Sequence, residues 1–355
     1  MVKNLQTISF SGLDCQLEKN RSDINKALKN VLDSCQFIMG KEIEILEQKL
    51  SSFFKIKYAV TCANGTDAIT LSLMAIGLKP GDFVIVPDFT FVSSIEAPVQ
   101  LGIKPILVDI NKDDFSINID HLKSVININK KMGNKIKAII NVDLFGMPSD
   151  YSSLLKICKE NNCYLISDAA QSFGTIYNNA PISNYADITT TSFFPSKPLG
   201  CYGDGGCVFT KSKKIADKIK SLRLHGKGSN KYDNKYVGIN SRLDTIQAAI
   251  LIEKLKVFPN EIKKRKEIAN FYMKNIDNKE ILPKERKNSE SVWSQFTIKT
   301  SLRDDLKLFL QKKKIPSAIY YPLPLHKQSA YKYLSNKNLN FCNSENASKT
   351  VLSIP

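Results

Sequence analysis

Histidine is scarce in this chain of 355 residues: His121, His225 and His326 are the only three, and they stand far apart. The eight cysteines do not make up a metal-binding set with them. Cys158 with Cys163, and Cys201 with Cys207, match no common zinc-ligand spacing, so no metal is expected. Several cysteines sit in apolar, strand-like or helix-like segments, which suits reduced, buried thiols in a cytoplasmic protein. Long apolar runs are also missing. None approaches the length of a membrane-spanning helix, and Met1 to Phe10 has no apolar core of a secretory signal. Acidic side chains are in the minority, 34 against 51 basic ones, for a formal charge of +17. A nucleic-acid partner needs such charge gathered and interleaved with aromatics. Here the lysines run along the whole chain, and the dense spots, Lys263-Lys264-Arg265-Lys266 and Lys312-Lys313-Lys314, fall in helix-like segments as solvated faces. Neither nucleic acid nor membrane is an expected partner. The residual benefit of the charge is attraction of phosphorylated substrates.

What is present is enough apolar residue, 43%, to build a large core at this length. From Tyr58 to about Phe209 short β-rich apolar runs alternate with helical patterns. Strands are predicted at Phe83–Val86, Pro105–Val108, Ile136–Val142, Tyr164–Ser167, Thr189–Phe194 and Gly206–Thr210, with helices at Ser93–Leu101 and Tyr151–Glu160. Fully apolar strands in such alternation predict an α/β fold with a mostly parallel sheet between helices. After Arg242 the texture changes. Two helices, Leu243–Val257 and Glu261–Ile276, are predicted with a break at Phe258-Pro259, then a mobile polar linker, Asn278–Ser291. A strand at Val292–Lys299, a helix at Asp304–Lys314 and a strand at Ser317–Tyr321 complete a smaller α+β unit. The expected division is a large domain over 1–250, with an N-terminal helical segment, and a small C-terminal domain over 251–355.

Three segments carry chemistry. Asn64-Gly65-Thr66-Asp67 follows a β-rich run and opens a helical pattern, where free amides and the helix dipole favour an anion. Plain N-capping by Asn64 or Thr66 explains the same residues. Asp168 follows the strand Tyr164-Leu165-Ile166-Ser167, at the strand end where ligands of open α/β sheets gather. Asp168-Ala169-Ala170-Gln171 equally has the form of a capping box. Lys197 decides between the readings. It lies between Pro195 and Pro198 and beside Gly200, Gly203, Gly205 and Gly206, a long flexible amine on a stiff segment. A surface lysine has no need of that arrangement. A lysine that must reach one cofactor carbon and then act as a base does.

Six segments in this order, CANGTDAI (62–69), PDFTFVSS (87–94), ISDAAQSFG (166–174), TSFFPSKPLGCYGDGG (191–206), GINSRLDTIQAAIL (238–251) and YYPLPLHKQ (320–328), resemble the DegT/DnrJ/EryC1/StrS family over nearly the whole chain. That family comprises sugar aminotransferases of fold type I that use pyridoxal 5'-phosphate (PLP). The resemblance implies that Lys197 binds the cofactor covalently and then shuttles the proton between substrate carbon and cofactor C4′. It implies that Asp168 keeps the ring nitrogen protonated, that Gln171 bonds near the ring hydroxyl and that Phe91 stacks on the ring. Gly65, Thr66 and Asp67, mainly through backbone N–H groups, and Ser192 would hold the phosphate. Asn240 would reach the phosphate from the neighbouring subunit, which implies a homodimer with shared active sites. Arg242 is a candidate for the nucleotide diphosphate or the donor carboxylate, or simply pairs with Asp244. Tyr320, Tyr321 and His326 sit where relatives place substrate-side residues, a packing role being open for either tyrosine.

The same resemblance implies a nucleotide-linked keto-sugar as acceptor and L-glutamate as donor. The wording is nearest to enzymes of surface-glycan biosynthesis that aminate UDP-linked 3-keto sugars of the 2-acetamido-3-oxo-glucuronate type, amination at C4 being the alternative. A sugar 3-dehydratase of this fold has histidine in place of the lysine, and Lys197 argues against it. A regulatory protein has no use for a full cofactor set, and the family-specific segments weaken an amino-acid aminotransferase. Relatives continue beyond a segment like Leu352-Ser353-Ile354-Pro355 into a final helix, so a further helix after Pro355 is expected.

Overall fold

The computed structural model describes residues 8–230, 232–334 and 340–355. The first seven residues, part of the Met1 to Phe10 stretch read for a leader, lie outside the described residues. Two helices, α1 (Leu13–Ser34) and α2 (Lys41–Phe53), precede an alternating region. It runs β1 (Tyr58–Cys62), α3 (Gly65–Ala75), β2 (Phe83–Pro87), α4 (Ser93–Gln100), β3 (Lys104–Val108), α5 (Ile119–Lys131), β4 (Ile136–Val142), α6 (Tyr151–Asn161) and β5 (Tyr164–Asp168). Two short strands, β6 (Ile176–Tyr177) and β7 (Ala180–Pro181), lead to β8 (Ile188–Ser192), β9 (Gly206–Thr210) and α7 (Lys213–Leu222). Seven strands form one sheet in the order β1-β9-β8-β5-β4-β2-β3. β9 alone runs antiparallel to its neighbours β1 and β8. The strands are almost wholly buried, as a sheet covered on both faces requires. One face carries Val60, Val84, Ile140 and Ile166 into a core with Leu71, Ile95 and Ile219 of α3, α4 and α7. The other carries Ile85, Ile139 and Leu165 into a core with Leu122 of α5 and Leu154 of α6.

This topology positions the site. β1, β2, β4, β5 and β8 all end at one edge of the sheet, and antiparallel β9 begins there, with Gly206 opposite both Cys62 and Ser192. Turns of different sequence origin therefore meet in one place.

Beyond the sheet, the predicted break at Phe258-Pro259 does not occur: α8 runs unbroken from Thr245 to Asn275 with Pro259 inside it. Phe258 is fully buried, its ring 5.4 Å from Phe173 and 5.6 Å from Phe53. That packing offsets the one backbone hydrogen bond that Pro259 removes. Leu251, Leu255 and Phe258 belong to the core of α2 and β9, whereas Ala269 belongs to the core of the smaller unit. The boundary read between 250 and 251 falls inside this helix.

The linker is docked rather than loose. Ser289–Glu290 (β10) pairs with β6, Leu282 is buried, and Lys284 and Arg286 bond Asp113 at 2.8 Å and Asp114 at 2.6 Å. In the smaller unit, β11 (Phe296–Lys299) pairs antiparallel with β12 (Val351–Ile354), flanked by α9 (Arg303–Lys312) and α10 (Cys342–Thr350). The strand expected at Val292–Lys299 is thus its second half. The one expected at Ser317–Tyr321 reduces to a single bridge from Ala318 to Ser353. Tyr320 and Tyr321 turn away from β12 to pack against the first core. Among the described residues no helix is long and apolar enough to cross a membrane, and no group of three His, Cys, Asp or Glu is gathered that could hold a metal ion.

Candidate active site

Asn64 is the cap of α3, its Oδ1 accepting from the Asp67 amide at 2.8 Å. The Asp67 N–H is therefore spent within the turn, and the expectation that it faces a phosphate is corrected. Gly65 and Thr66 hold the first amides of the helix, which have no carbonyl one turn back to bond. Gly65 lies so close to β8 that a side-chain carbon there would come within 2.7 Å of Ser192 Cβ and 3.2 Å of its Oγ. Two helix-opening amides and a hydroxyl thus share a space that admits no side chain at 65. Thr66 Oγ1 pairs with Ser93 Oγ at 2.7 Å.

Asp168 is the last residue of β5 and is 8% exposed. Its Oδ1 accepts from the Ala170 amide at 3.0 Å and its Oδ2 from Ser94 Oγ at 3.3 Å. No helix follows, only a turn, so the capping-box reading is overturned. Gln171 does not reach back to Asp168. Its Oε1 accepts from the Phe145 amide at 2.7 Å, and its Nε2 donates to Tyr321 Oη at 3.1 Å. Burial pushes the Asp168 pKa up, while the Ala170 amide, the Lys197 charge and Ser94 pull it down.

Lys197 rides on the loop between β8 and β9. Its amide donates to Phe194 O at 2.9 Å, and the loop is pinned at its base by Cys201 N to Phe193 O and Phe193 N to Gly205 O, each 2.7 Å. A side-chain carbon at Gly200 would strike the carbonyl oxygens of Pro195 and Phe194, so only glycine permits so tight a fold. Burial lowers the Lys197 pKa and the Asp168 carboxylate raises it again. Amine and carboxylate, 29 positions apart in sequence by their numbers, come to the same edge of the sheet, since Asp168 ends β5 opposite Thr190 of β8 and Lys197 lies on the loop that leaves β8.

Phe91 leaves half its surface (51%) exposed, its ring 6.0 Å from that of Tyr321. Tyr320 packs against Phe10 with ring centroids 6.4 Å apart. His326 departs from the expected substrate-side role. Its Nδ1 meets Asp88 Oδ2 at 2.6 Å, its Nε2 meets Glu345 Oε1 at 3.3 Å, and it is 6% exposed, so neither nitrogen is left for a substrate. Asn240 is exposed, next to Ser241, whose Oγ accepts from the Ala63 amide at 3.1 Å. With Asn64, Gly203, Asp204 and Arg242 it lines a pocket of about 480 Å³. Arg242 makes no ion pair with Asp244 among the described residues, and its buried Nε has no partner there. Sequence reasoning missed Ser94 and the Phe145 amide. Nothing distinguishes Ser94 from Ser93 in the chain, and a backbone donor carries no residue signature.

Two helix-opening amides beside a hydroxyl, a buried carboxylate and an amine thus gather at the carboxyl edge of an open α/β sheet. The chain belongs to the DegT/DnrJ/EryC1/StrS aminotransferase family, whose profile matches residues 18–355, and it is an aminotransferase. It is 38% identical over 98% of its length, and 94% of the relative's, to the UDP-2-acetamido-2-deoxy-3-oxo-D-glucuronate aminotransferase of Pseudomonas aeruginosa. It superposes with a TM-score of 0.96 on a DegT DnrJ EryC1 StrS aminotransferase from Brucella abortus, at 39% identity, covering 98% of this chain and 94% of that one. With the NtdA protein of Bacillus subtilis, solved with bound cofactor PMP, the TM-score is 0.89 at 31% identity, covering 100% of this chain and 81% of that one.

Proposed function

We infer that this protein is a PLP-dependent aminotransferase that moves an amino group from L-glutamate to a UDP-linked 3-keto sugar or 3-keto uronic acid. The observation that carries the chemistry is the buried Asp168 set against Lys197 beside the Gly65–Ser192 cradle. The acceptor follows the Pseudomonas aeruginosa relative, and the cofactor follows the family and the PMP held by NtdA, PMP being the aminated form of PLP.

The residues fit that cofactor. Among the described residues the buried Asp168 carboxylate accepts from two neutral donors, the Ala170 amide and Ser94 Oγ, and it suits a further cationic N–H such as a protonated pyridine nitrogen. The amides of Gly65 and Thr66 and the Ser192 hydroxyl suit a phosphate at a helix N-terminus. The exposed face of Phe91 suits an aromatic ring. When bound, the cofactor supplies a carbonyl carbon that bonds the amino nitrogen and a ring that accepts the electron pair left on the substrate carbon. Lys197 Nζ would hold it covalently and would serve as the base that moves the proton at the substrate carbon. The lowered pKa of this amine favours the basic form. The Asp168 carboxylate would keep the proton on the ring nitrogen, and Gln171, held by the Phe145 amide and Tyr321, would bond near the ring hydroxyl. Arg242 is the candidate contact to the nucleotide diphosphate or the donor carboxylate, and Tyr320 and Tyr321 are candidate substrate-side residues. In a homodimer, Asn240 of one subunit completes the phosphate site of the other.

The test is incubation of the PLP form with L-glutamate and a panel of UDP- and dTDP-linked 3-keto and 4-keto sugars, read by mass spectrometry. Amination of UDP-linked 3-keto compounds at least about tenfold faster than the rest, a margin within reach of pocket contacts, is expected. Preference for the 4-keto members would overturn the C3 assignment.

A further inference from the structure

The segment that brings Tyr321 to the site is anchored by groups outside it. Asp88 stands just past β2 and is wholly buried. Its carbonyl accepts from the Leu325 amide at 2.9 Å, and its Oδ1 accepts from the His326 amide at 2.9 Å. Its Oδ2 faces His326 Nδ1 at 2.6 Å, and His326 Nε2 faces Glu345 Oε1 of α10 at 3.3 Å. Carboxylate oxygens only accept, so an imidazole that serves both must carry both protons. Phe341 stacks on the ring, centroids 4.7 Å apart at 21°. Between His326 and Tyr321 lie Pro322 and Pro324, which stiffen the spacer, and Leu325, fully buried. A fixed His326 therefore fixes Tyr321, whose Oη accepts from Gln171 and whose ring lies 6.1 Å from Phe89 and 6.0 Å from Phe91.

We propose that His326 is a positioning residue: as an imidazolium clasped between Asp88 and Glu345, it holds Tyr321 against Gln171 at the wall of the cofactor site. The inference rests on the aminotransferase reading above. Burial pulls the His326 pKa down, but the hydrogen bond and charge of Asp88, then those of Glu345, outweigh it and hold the pKa above the ordinary value. The other charges nearby are Lys327, bonded to Glu345 Oε2 at 2.8 Å, and Asp109 with His121 on the far side of Phe341. A raised folded pKa means that the clasp stabilises fully below about 6.5, the ordinary imidazole value. Its contribution is lost as pH rises through the folded value.

The test uses holoenzyme of wild type, His326→Asn, Tyr321→Phe and the double variant. The readouts are the L-glutamate half-reaction, followed by the absorbance of the bound cofactor, and Tm across pH. Each single variant is expected to slow the half-reaction about tenfold, and the double no more than the worse single, because coupled residues are not additive. Apparent glutamate affinity should stay within about twofold, since truncation acts on geometry rather than on donor binding. The fall in wild-type Tm above about pH 6.5 should be absent in His326→Asn. Losses that multiply in the double variant, or a His326→Asn enzyme that melts earlier but reacts at the wild-type rate, would overturn the proposal. If His326→Asn does not fold, Glu345→Gln decides: the alkaline fall should move to lower pH, and an unmoved fall sinks the clasp. Borohydride labelling of Lys197 in the same preparations tests the underlying reading separately, since an unlabelled lysine counts against the cofactor assignment and not against the clasp.

Discussion

At the scale of single residues the site is a pair of opposite groups, each displaced from its ordinary pKa by burial and restored in part by the other. Lys197→Ala should bind PLP only non-covalently: borohydride fixes cofactor to a Lys197 peptide in wild type and to nothing in the variant. A label on another lysine would show that the wrong residue has been assigned. Asp168→Asn keeps the size and the Ala170 contact but removes the charge. A loss of about 3 kcal/mol of transition-state stabilisation, a hundredfold or more in kcat, is the expected scale for one electrostatic group aimed at the reacting system. The same change has an opposite expectation for the protein without cofactor. A carboxylate whose folded pKa lies above its unfolded value destabilises the fold fully above the folded value, and the penalty shrinks as pH falls through that value and is gone below the unfolded one. Cofactor-free Asp168→Asn should therefore melt no lower than cofactor-free wild type at neutral pH, and the difference should close in acid. A variant that melts lower at every pH would mean that Asp168 serves the fold rather than the chemistry.

At the scale of elements, α8 is where sequence and structure part most clearly. A proline within a helical pattern reads as a stop, because local rules see the missing N–H and the crowded carbonyl. They do not see Phe258 buried among Phe53 and Phe173, contacts from residues about 200 and 85 positions away. Pro259 itself points to solvent, so little holds it in place. Pro259→Ala restores the hydrogen bond to Leu255 O and should raise stability by about 1 kcal/mol or more, within the helix-interior penalty of proline. Urea unfolding checks this, and a lower midpoint for the variant would mean that the proline ring is needed in packing. The linker shows the converse. Asn278–Ser291 has the composition of a mobile stretch, yet three ion pairs and a two-residue strand dock it, partners that composition does not reveal.

At the scale of the whole molecule, Asn240 and Arg242 line a pocket together with Asn64, the cap of the helix that opens at Gly65, and neither Lys197 nor Asp168 lines it. That arrangement suits a site completed by a second copy. Lys197→Ala and Asn240→Glu, each inactive, should restore activity when mixed and allowed to exchange subunits. Each heterodimer would hold one intact site, so up to about half of the wild-type activity per dimer returns, by the logic of a closed two-fold interface. Verified exchange with no recovered activity would remove Asn240 from the partner's site.

The chain alone was enough for the α/β alternation, the family, the acid at the end of β5 and the lysine between two prolines. Each of these is written in a short segment: apolar period, strand-end position, stiff flanks. Tertiary structure decided what depends on distant partners. It turned Asp168 from a possible helix cap into a buried carboxylate beside Ser94, and spent the Asp67 amide on Asn64. It removed His326 from the substrate by giving both ring nitrogens to Asp88 and Glu345. A side chain's type can be read from its own position, but its free valences are known only when everything packed around it is in place.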